Sequence, residues 1–261
     1  MIAIIRYNEI ALKGRNRAWF EDKLILNIKK SFSNSEIKVK KKYGRVLVVF
    51  SKDQIDDIKK TLSRTFGIES FSFGILSKSN FDNITKNVVD LVKHNPNQWN
   101  TFRVTTKRQD KQFPIKSNTL NEKIGGCILD TFTQKKVDLT NFDLNIRIEV
   151  THHETYITTE HHKGPGGLPV GVSGKYVCML SGGIDSPVAA WHMAKRGCDV
   201  HFIHFHSLPY TDRASTQKVN ELAEILSTWG LNTKVSQTPF AETQKEIVKK
   251  TNSSYRIILY R

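Results

Sequence analysis

The stretch Ser181-Gly182-Gly183-Ile184-Asp185-Ser186-Pro187 decides the fold of the region around it. It follows the apolar run YVCML (176–180), which is typical of a buried strand, and precedes a helical pattern that extends to Arg196. A strand followed by a helix brings this loop to a helix N-terminus, where backbone N–H groups are unpaired and the helix dipole is positive. Its two glycines leave room for an anion, and its two serines add hydroxyl donors. The pattern therefore predicts an anion-binding loop of the phosphate-nest kind.

The carboxylate of Asp185 adds information about the bound anion. A carboxylate beside phosphate is repulsive unless a cation lies between them, so Asp185 indicates Mg²⁺. The structural alternatives are a helix cap at Asp185 and a Gly-Gly turn without a ligand. The loop is not a Walker loop, because the pattern GxxxxGK[ST] is absent.

The rest of residues 175–261 alternates strands and helices. A second strand, VHFIHFH (200–206), is followed by a helix over 212–229, a third strand, NTKVSQ (232–237), and a helix over 240–250. This alternation predicts a doubly wound parallel sheet, in which ligands bind at the carboxyl ends of the strands. The segment before it, 164–174, has five Gly and two Pro in eleven positions. It predicts a linker or a loop whose backbone turns sharply or approaches another group closely.

Residues 1–50 predict a small βαββ unit and carry 12 Lys and Arg against 4 Asp and Glu. Lys13, Arg15 and Arg17 precede the predicted helix over 18–32, near its free N–H groups, which suits phosphate. The alternative is a solvated basic loop. With 40 Lys and Arg against 25 Asp and Glu, the whole chain has a net charge of +15, which favours a polyanionic partner such as nucleic acid.

Residues 51–163 predict a mixed α/β module, with a helix over 53–66 that ends before Gly67 and a hairpin-like pair of strands, LNIRIEV (144–150) and ETYITTE (154–160). After the strand TFRVTTKRQ, a basic loop contains Lys107, Arg108 and Lys111 together with Phe113. Cations beside an aromatic ring suit backbone and stacking contacts with RNA.

The composition excludes other classes of protein. The 261 residues include 38% hydrophobic side chains, which can build cores, and no apolar run reaches the length of a membrane span. The three cysteines, Cys127, Cys178 and Cys198, do not form a CxxC pair, which argues against a disulfide framework or a cysteine zinc site. We therefore expect a soluble, cytoplasmic protein.

The motifs resemble those of a known family. The segment SGGIDSPVAAWHMAKRG (181–197) resembles the PP-loop of the N-type ATP pyrophosphatases, and the longer string from Gly164 to Ala189 resembles the tRNA 4-thiouridine synthetases, the ThiI family. The segment 8–24 resembles the family's N-terminal ferredoxin-like domain, and 102–126 resembles its THUMP domain, an RNA-binding module. The resemblance implies a ferredoxin-like domain (1–50), a THUMP domain (51–163), a Gly-rich linker (164–174) and a PP-loop domain (175–261).

The resemblance also implies an activity and a set of functional residues. The family adenylates uridine 8 of tRNA with ATP, and a persulfide sulfur then displaces AMP to give 4-thiouridine; related enzymes also transfer sulfur for the thiazole of thiamine. Asp185 and Ser181 match the catalytic positions, with Mg²⁺ at Asp185. The positions that match the family's ATP contacts are Met179, Leu180, Ser181, Gly182, Gly183, Asp185, Ser186, His204, Phe205 and Arg261. The implied partners are tRNA and a persulfide donor such as a cysteine desulfurase.

The family's persulfide-bearing cysteine lies further downstream than Arg261, so the resemblance implies that the C-terminal domain is incomplete here. A second chain could complete it, or the chain could form a homodimer. Two alternatives to the enzyme remain open: a tRNA-binding module with an inactive nucleotide domain, and a PP-loop enzyme that acts on a small acid. The second alternative leaves residues 1–163 without a role.

Overall fold

The computed structural model describes residues 1–32, 36–42, 44–95, 98–152, 154–208 and 213–252. Its helices are α1 (Arg17–Ser31), α2 (Ile55–Leu62), α3 (Phe81–Lys93), α4 (Ser117–Thr131), α5 (Asp185–Lys195), α6 (Arg213–Ser227) and α7 (Ala241–Lys250). Its strands are β1 (Ile2–Arg6), β2 (Lys38–Lys42), β3 (Arg45–Val49), β4 (Ser70–Ser77), β5 (Thr101–Arg108), β6 (Lys136–Val137), β7 (Leu144–Val150), β8 (Thr155–Thr158), β9 (His162–Lys163), β10 (Lys175–Met179), β11 (Asp199–His206) and β12 (Val235–Pro239).

The chain divides into two compact units, and neither is continuous in sequence. The first unit comprises Met1–Arg6, Asn34–Ile58 and Ser70–Lys163. The second comprises Tyr7–Ser33, Lys59–Glu69 and the part of the chain from Gly164 onward. Helix α1, which the sequence places with residues 1–50, therefore belongs to the second unit.

One large sheet organises the first unit, with strand order β2-β3-β1-β4-β8-β7-β5-β6 and β9 paired with β4. Most neighbours are antiparallel, including the predicted β7–β8 hairpin, whereas β5 pairs in parallel with β7. The alternation of apolar and polar residues along β5 and β7 gives each strand one apolar face. Helices α3 and α4 pack on this apolar face and form a hydrophobic core with it. The strand residues in this core include Phe102, Val104, Ile146 and Ile148.

The second unit contains the predicted parallel sheet, with strand order β10-β11-β12. Helices α5 and α6 connect these strands and contact each other. The core beneath the sheet includes Cys178, Leu180 and Phe202. Its aromatic centre is Phe66, whose ring lies 5.2 Å from that of Trp191 and 5.7 Å from that of Trp229.

The Gly-rich segment 164–174 is packed within the second unit. The backbone N–H groups of Gly171, Val172 and Ser173 all donate to the carbonyl oxygen of Gly197, at 2.8 to 2.9 Å. Gly167 has a positive φ of 74°, and a Cβ at this position would lie 2.2 Å from the carbonyl oxygen of Lys195. The prediction of a backbone that turns sharply and approaches another group closely is therefore confirmed.

Two element boundaries differ from those predicted. The helix predicted to end at Phe66 ends at Leu62, and Gly67, with a φ of 95°, follows only after a short turn. The strand predicted over 232–237 is Val235–Pro239. The side chain of Asn232 accepts a hydrogen bond from the N–H of Lys234 at 3.0 Å and forms a turn where the strand was expected. The predicted start of α6 at Asp212 lies outside the described residues.

Candidate functional site

The loop Ser181–Ile184 leaves the carboxyl end of β10 and enters α5. Leu180 anchors it, because its side chain is buried and its N–H donates to the carbonyl oxygen of Ile203 on β11 at 2.9 Å. The carbonyl oxygen of Leu180 lies 3.0 Å from Nδ1 of His204. The sheet core therefore fixes where the loop begins.

The two serines of the loop hold its shape. The N–H of Ser181 donates to Oγ of Ser186 at 2.9 Å, and the two hydroxyl oxygens are 3.1 Å apart. The N–H of Gly183 points toward Oγ of Ser181 at 3.4 Å, which is a long contact. The hydroxyls therefore converge on one side of the loop, beside the first turn of α5.

The N-terminus of α5 is exposed and has no side-chain cap. Asp185 is the first helical residue and is exposed, so it is not the cap that the sequence left open as an alternative. A Cβ on Gly182 would meet only the side chain of Lys218, at 3.4 Å, and one on Gly183 only Oγ of Ser181, at 3.5 Å. The fold itself would therefore accommodate side chains at both glycines, and the space over the loop is open to a ligand.

Four further predicted residues surround this loop. Leu180 is buried, so only its backbone is available to a ligand, whereas Met179 and Phe205 are 66% and 43% exposed and are not core residues. Val177 is exposed to a similar degree on the same strand as Met179, so exposure alone does not single out Met179. His204 is buried, and its Nε2 is a buried nitrogen that has no hydrogen-bond partner among the described residues. Arg261 lies outside the described residues.

The first predicted RNA-binding loop combines an exposed cation, Arg15, with a partly exposed one, Arg17, that forms hydrogen bonds within the protein. Arg15 is exposed, and Nζ of Lys13 lies 5.0 Å from the ring of Phe20. The guanidinium of Arg17 donates to the buried carboxylate of Glu21 at 2.7 Å and to the hydroxyl of Tyr7 at 3.0 Å. The hydrogen bond with Glu21, and then that with Tyr7, raises the pKa of Arg17. Arg17 thus has a structural role, and its contact with RNA stays a prediction.

The second predicted RNA-binding loop differs from expectation at its aromatic residue. Lys107 and Lys111 are exposed, but Phe113 is buried in the core of the first unit, so it is not available to stack on a base. Arg108 donates to the carbonyl oxygens of Phe113 at 2.8 Å and Ile115 at 3.1 Å. Hydrophobic burial, which the sequence pattern of this loop did not reveal, decides the position of Phe113.

Three family models match the chain in the predicted order. The model of the ThiI ferredoxin-like domain matches residues 2–72, that of the THUMP domain matches 78–160, and that of the thiamine biosynthesis protein ThiI matches 171–261. A probable tRNA sulfurtransferase of Thermoanaerobacter pseudethanolicus is 39% identical over all 261 residues. The chain belongs to the ThiI family.

This ThiI-family chain spans about two thirds of the length of the relatives that it matches. A probable tRNA sulfurtransferase of Brevibacillus brevis is 41% identical over 261 residues, which is 100% of this chain and 65% of that protein. For the Thermoanaerobacter relative, the matched part is 68% of its length. The crystal structure of a 4-thiouridine synthetase–RNA complex with bound ATP is 34% identical, with a TM-score of 0.89 over 99% of this chain and 67% of that chain.

These matches confirm the predicted fold class of the ThiI-family chain: ferredoxin-like, THUMP and PP-loop domains of mixed α/β structure. The exact boundaries 1–50, 51–163, 164–174 and 175–261 stay predictions. Among the residues that the structure describes, no helix combines the length and hydropathy of a membrane span. The same residues contain no group of three or more His, Cys, Asp and Glu side chains arranged to hold a metal ion.

Sequence reasoning missed Lys218 in this ThiI-family chain. It is one of 40 basic residues and carries no motif. The packing of α6 beside the loop brings the side chain of Lys218 next to Gly182, where a Cβ would lie 3.4 Å from it.

Proposed function

We propose that this chain is the tRNA-binding and ATP-activating part of a tRNA uridine 4-sulfurtransferase. The observation that carries the proposal is the open, uncapped N-terminus of α5 at the carboxyl end of β10, with the hydroxyls of Ser181 and Ser186 beside it. The similarity to a synthetase solved with RNA and ATP supports it. The sequence family supports tRNA as the substrate.

The proposed reaction has two steps. The O4 oxygen of uridine 8 attacks the α-phosphorus of ATP, so that an O–P bond forms, the α–β phosphoanhydride bond breaks, and pyrophosphate leaves. The uracil oxygen has then become part of a leaving group. In the second step, the terminal sulfur of a persulfide attacks C4 of the uracil, so that a C–S bond forms, the C–O bond breaks and AMP departs with that oxygen. A second thiol on the donor side then attacks the carrier sulfur and breaks the S–S bond, which leaves 4-thiouridine and a disulfide on the donor.

The loop residues have distinct roles in this proposal. The N–H groups of Gly182 and Gly183 and the hydroxyls of Ser181 and Ser186 bind the β- and γ-phosphates, because a helix N-terminus attracts anions. Lys218 neutralises the charge that develops on the departing pyrophosphate. Asp185 would hold Mg²⁺, which usually binds one or two carboxylates together with substrate phosphates and would supply further positive charge there.

Met179, the backbone of Leu180, His204 and Phe205 bind the rest of ATP in this proposal. The exposed apolar side chains at two neighbouring strand ends suit a nucleotide base, and Nε2 of His204 is a buried polar atom that lacks a partner in the part of the chain that the structure describes. Arg261 is proposed for the phosphates on sequence grounds alone. The residues proposed to contact tRNA are Lys13, Arg15, Arg17, Lys107, Arg108 and Lys111.

Sulfur in this proposal comes from a persulfide donor such as a cysteine desulfurase. Cys178 and Cys198 are buried, and burial raises the pKa of the Cys178 thiol. A thiol with a raised pKa is a poor nucleophile near neutral pH. Neither cysteine therefore suits a sulfur carrier, and the same donor could serve thiazole synthesis.

The test compares Asp185→Asn with Asp199→Asn. Asp199 is a partly exposed carboxylate at the amino end of β11. Asp199→Asn is therefore a matched control, because it removes the same charge at the end of the sheet opposite to the proposed site. Pyrophosphate release from ATP and tRNA, and AMP formation when a persulfide is also supplied, should both fall about 100-fold or more in Asp185→Asn, because electrostatic groups at a reacting phosphate contribute on this scale. Asp199→Asn should retain activity, and both variants should bind tRNA as the unaltered chain does.

Three outcomes would count against parts of this proposal. Unchanged AMP formation in Asp185→Asn would reject the role of that carboxylate. A chain that shifts tRNA in a gel but releases no pyrophosphate would be a tRNA-binding module with an inactive nucleotide domain. Binding of a small acid without binding of tRNA would indicate another PP-loop enzyme.

A further inference from the structure

The polar face of the large sheet carries a pair of arginines that the sequence patterns did not select. Arg103 lies on β5 opposite Asn145 on β7, and Arg147 on β7 lies opposite Thr105. All four side chains are on the face opposite Phe102 and Val104, which pack with α4 in the core. We call Arg103 and Arg147 the arginine pair.

The arginine pair converges on one side chain. With the amide of Asn145 oriented so that donors face acceptors, its oxygen accepts from Nη2 of Arg103 at 3.1 Å and from Nε of Arg147 at 3.2 Å. Its amino group donates to Oγ1 of Thr105 at 2.9 Å. Two positive groups thus share a single neutral acceptor, an arrangement that a bridging anion would complete.

Other contacts hold Arg103 in place. Its guanidinium lies 4.0 Å from the ring centre of Phe142, and its Nη1 is 3.3 Å from the carbonyl oxygen of Leu139. A cation stacked on an aromatic ring keeps its remaining N–H groups available at the edge of its plane. The pair is therefore partly preorganised, which reduces the entropy that a ligand must overcome.

The charges on this face are unbalanced. The carboxylate of Glu149 already binds Arg6 and Arg45, at 2.7 Å for the second. Burial, and then the charges of Arg6 and Arg103, lower the pKa of Arg147, which means that its positive charge is disfavoured where it stands. A bound anion would relieve this repulsion. Thr105 and Lys107 are exposed on the same face, so the face is accessible at β5.

We propose that the arginine pair binds one backbone phosphate of RNA. This inference rests on the proposed function, in which the first unit contacts tRNA. The predicted loop began at Lys107, but Lys107 lies in β5, and the arginine pair adds a contact on its sheet face beyond the residues proposed from the sequence. Paired guanidinium groups match the oxygens of a phosphodiester, and phosphates supply most of the affinity of proteins for nucleic acids.

The experiment measures the affinity of the full chain for a tRNA transcript and for an unrelated RNA duplex over a range of salt concentrations. Arg103→Gln and Arg147→Gln should each weaken both affinities about tenfold and lower the slope of log K against log salt by about 0.7 to 0.9. The double variant should bind only slightly less than either single variant, because both guanidiniums serve one phosphate. The control is Lys86→Gln, which removes one exposed positive charge from α3 on the other side of the sheet.

Thr105→Glu separates binding from folding. It places a carboxylate beside Arg147 without removing any existing contact of the guanidiniums. It should lower RNA affinity by about tenfold or more, because like charges repel, while the melting temperature stays the same or rises. Arg103→Gln also removes the contact with Phe142, which could lower stability and so weaken RNA binding indirectly. Thr105→Glu then tests RNA binding without that loss.

Several results would overturn the proposal. The proposal fails if Arg147→Gln and Thr105→Glu bind RNA as tightly as Lys86→Gln does. This holds even if the chain forms AMP. Tight binding of inorganic phosphate, with no effect of these variants on RNA, would instead indicate a site for free phosphate. Pair-dependent binding of both RNAs by a chain that forms no AMP would support the arginine pair and reject the proposed enzyme. A chain that binds neither RNA would reject both.

Discussion

Replacing Glu149 by Gln should destabilise the first unit strongly. Glu149 on β7 is 15% exposed, and it forms ion pairs with Arg6 on β1 and Arg45 on β3, whose side chains are 27% and 9% exposed. The three strands are far apart in sequence, so these pairs connect the two halves of the large sheet. Neutralising Glu149 would therefore leave two partly buried arginines, Arg6 and Arg45, without their counter-ion.

The magnitude follows from these two contacts. A hydrogen bond to a charged group contributes about 1.5–3 kcal/mol, and removing one partner of a buried pair costs about 3–5 kcal/mol. Gln keeps the shape and one acceptor, so we expect the free energy of unfolding to fall by about 2–4 kcal/mol. Glu122→Gln is the matched control, because Glu122 is exposed on α4 in the same unit and should change stability by less than about 0.5 kcal/mol.

Urea unfolding followed by far-ultraviolet circular dichroism measures both variants at pH 7, and hydrogen exchange of a β7–β8 peptide localises the loss to the first unit. The midpoint should fall for Glu149→Gln with an unchanged m-value. A loss no larger than that of Glu122→Gln would refute the reasoning, because the pairs would then contribute no net stability. Loss of protection confined to the second unit would also contradict it.

The ion pairs of Glu149 also predict how the stability of the first unit depends on pH. Burial alone would raise the pKa of Glu149, but Arg6 and Arg45 outweigh it and lower this pKa below its ordinary value of 4.5. A carboxylate with a depressed pKa contributes stability above its unfolded pKa, and the contribution disappears as pH falls through the folded pKa. The difference between the unaltered chain and Glu149→Gln should therefore persist at pH 6 and decrease below about pH 4.5. A difference that grows on acidification would contradict this sign.

Two further predictions concern the second unit. Gly167→Ala should destabilise the chain more than Gly174→Ala in thermal unfolding: both have positive φ, but only at Gly167 would a Cβ meet a backbone atom, the Lys195 carbonyl oxygen, whereas Gly174 faces open space. Equal losses would show that the close approach does not matter. In native alkylation followed by mass spectrometry, Cys127 should react before Cys178, which is buried and has a thiol pKa raised by that burial. Unfolding in urea should abolish this difference, and faster reaction of native Cys178 would contradict it.

Local pattern predicted the elements of the second unit well. The run YVCML and the loop after it produced β10, the loop Ser181–Ile184 and α5, because a strand, two glycines and a helix start are each short-range signals. The contact between Ser181 and Ser186 is also local, because the two residues are five positions apart in the chain. By contrast, the start of β12 was predicted too early, because the side chain of Asn232 competes with strand formation in a way that an alternating pattern does not reveal.

The residues for which we propose functions divide in the same way. Asp185 and the two serines could be selected from the sequence, but Lys218 and the arginine pair could not. Lys218 reaches the loop because α6 packs beside α5, and Arg103 and Arg147 meet because β5 and β7 are adjacent in the sheet. Phe113 was predicted to face RNA because its neighbours are basic, whereas the core of the first unit buries it.

The amino-acid sequence alone determined the order of the three modules, the glycine-containing loop between β10 and α5, and the concentration of positive charge, because each depends on residues close together in the chain. Tertiary structure decided how the chain divides, since β1 joins β4 in one sheet while α1 belongs to the second unit. It also decided which cations pair with a buried carboxylate, as Arg17 does with Glu21, and which share a surface, as with the arginine pair. Long-range strand pairing and burial set these positions, and they depend on contacts between segments that no local pattern encodes.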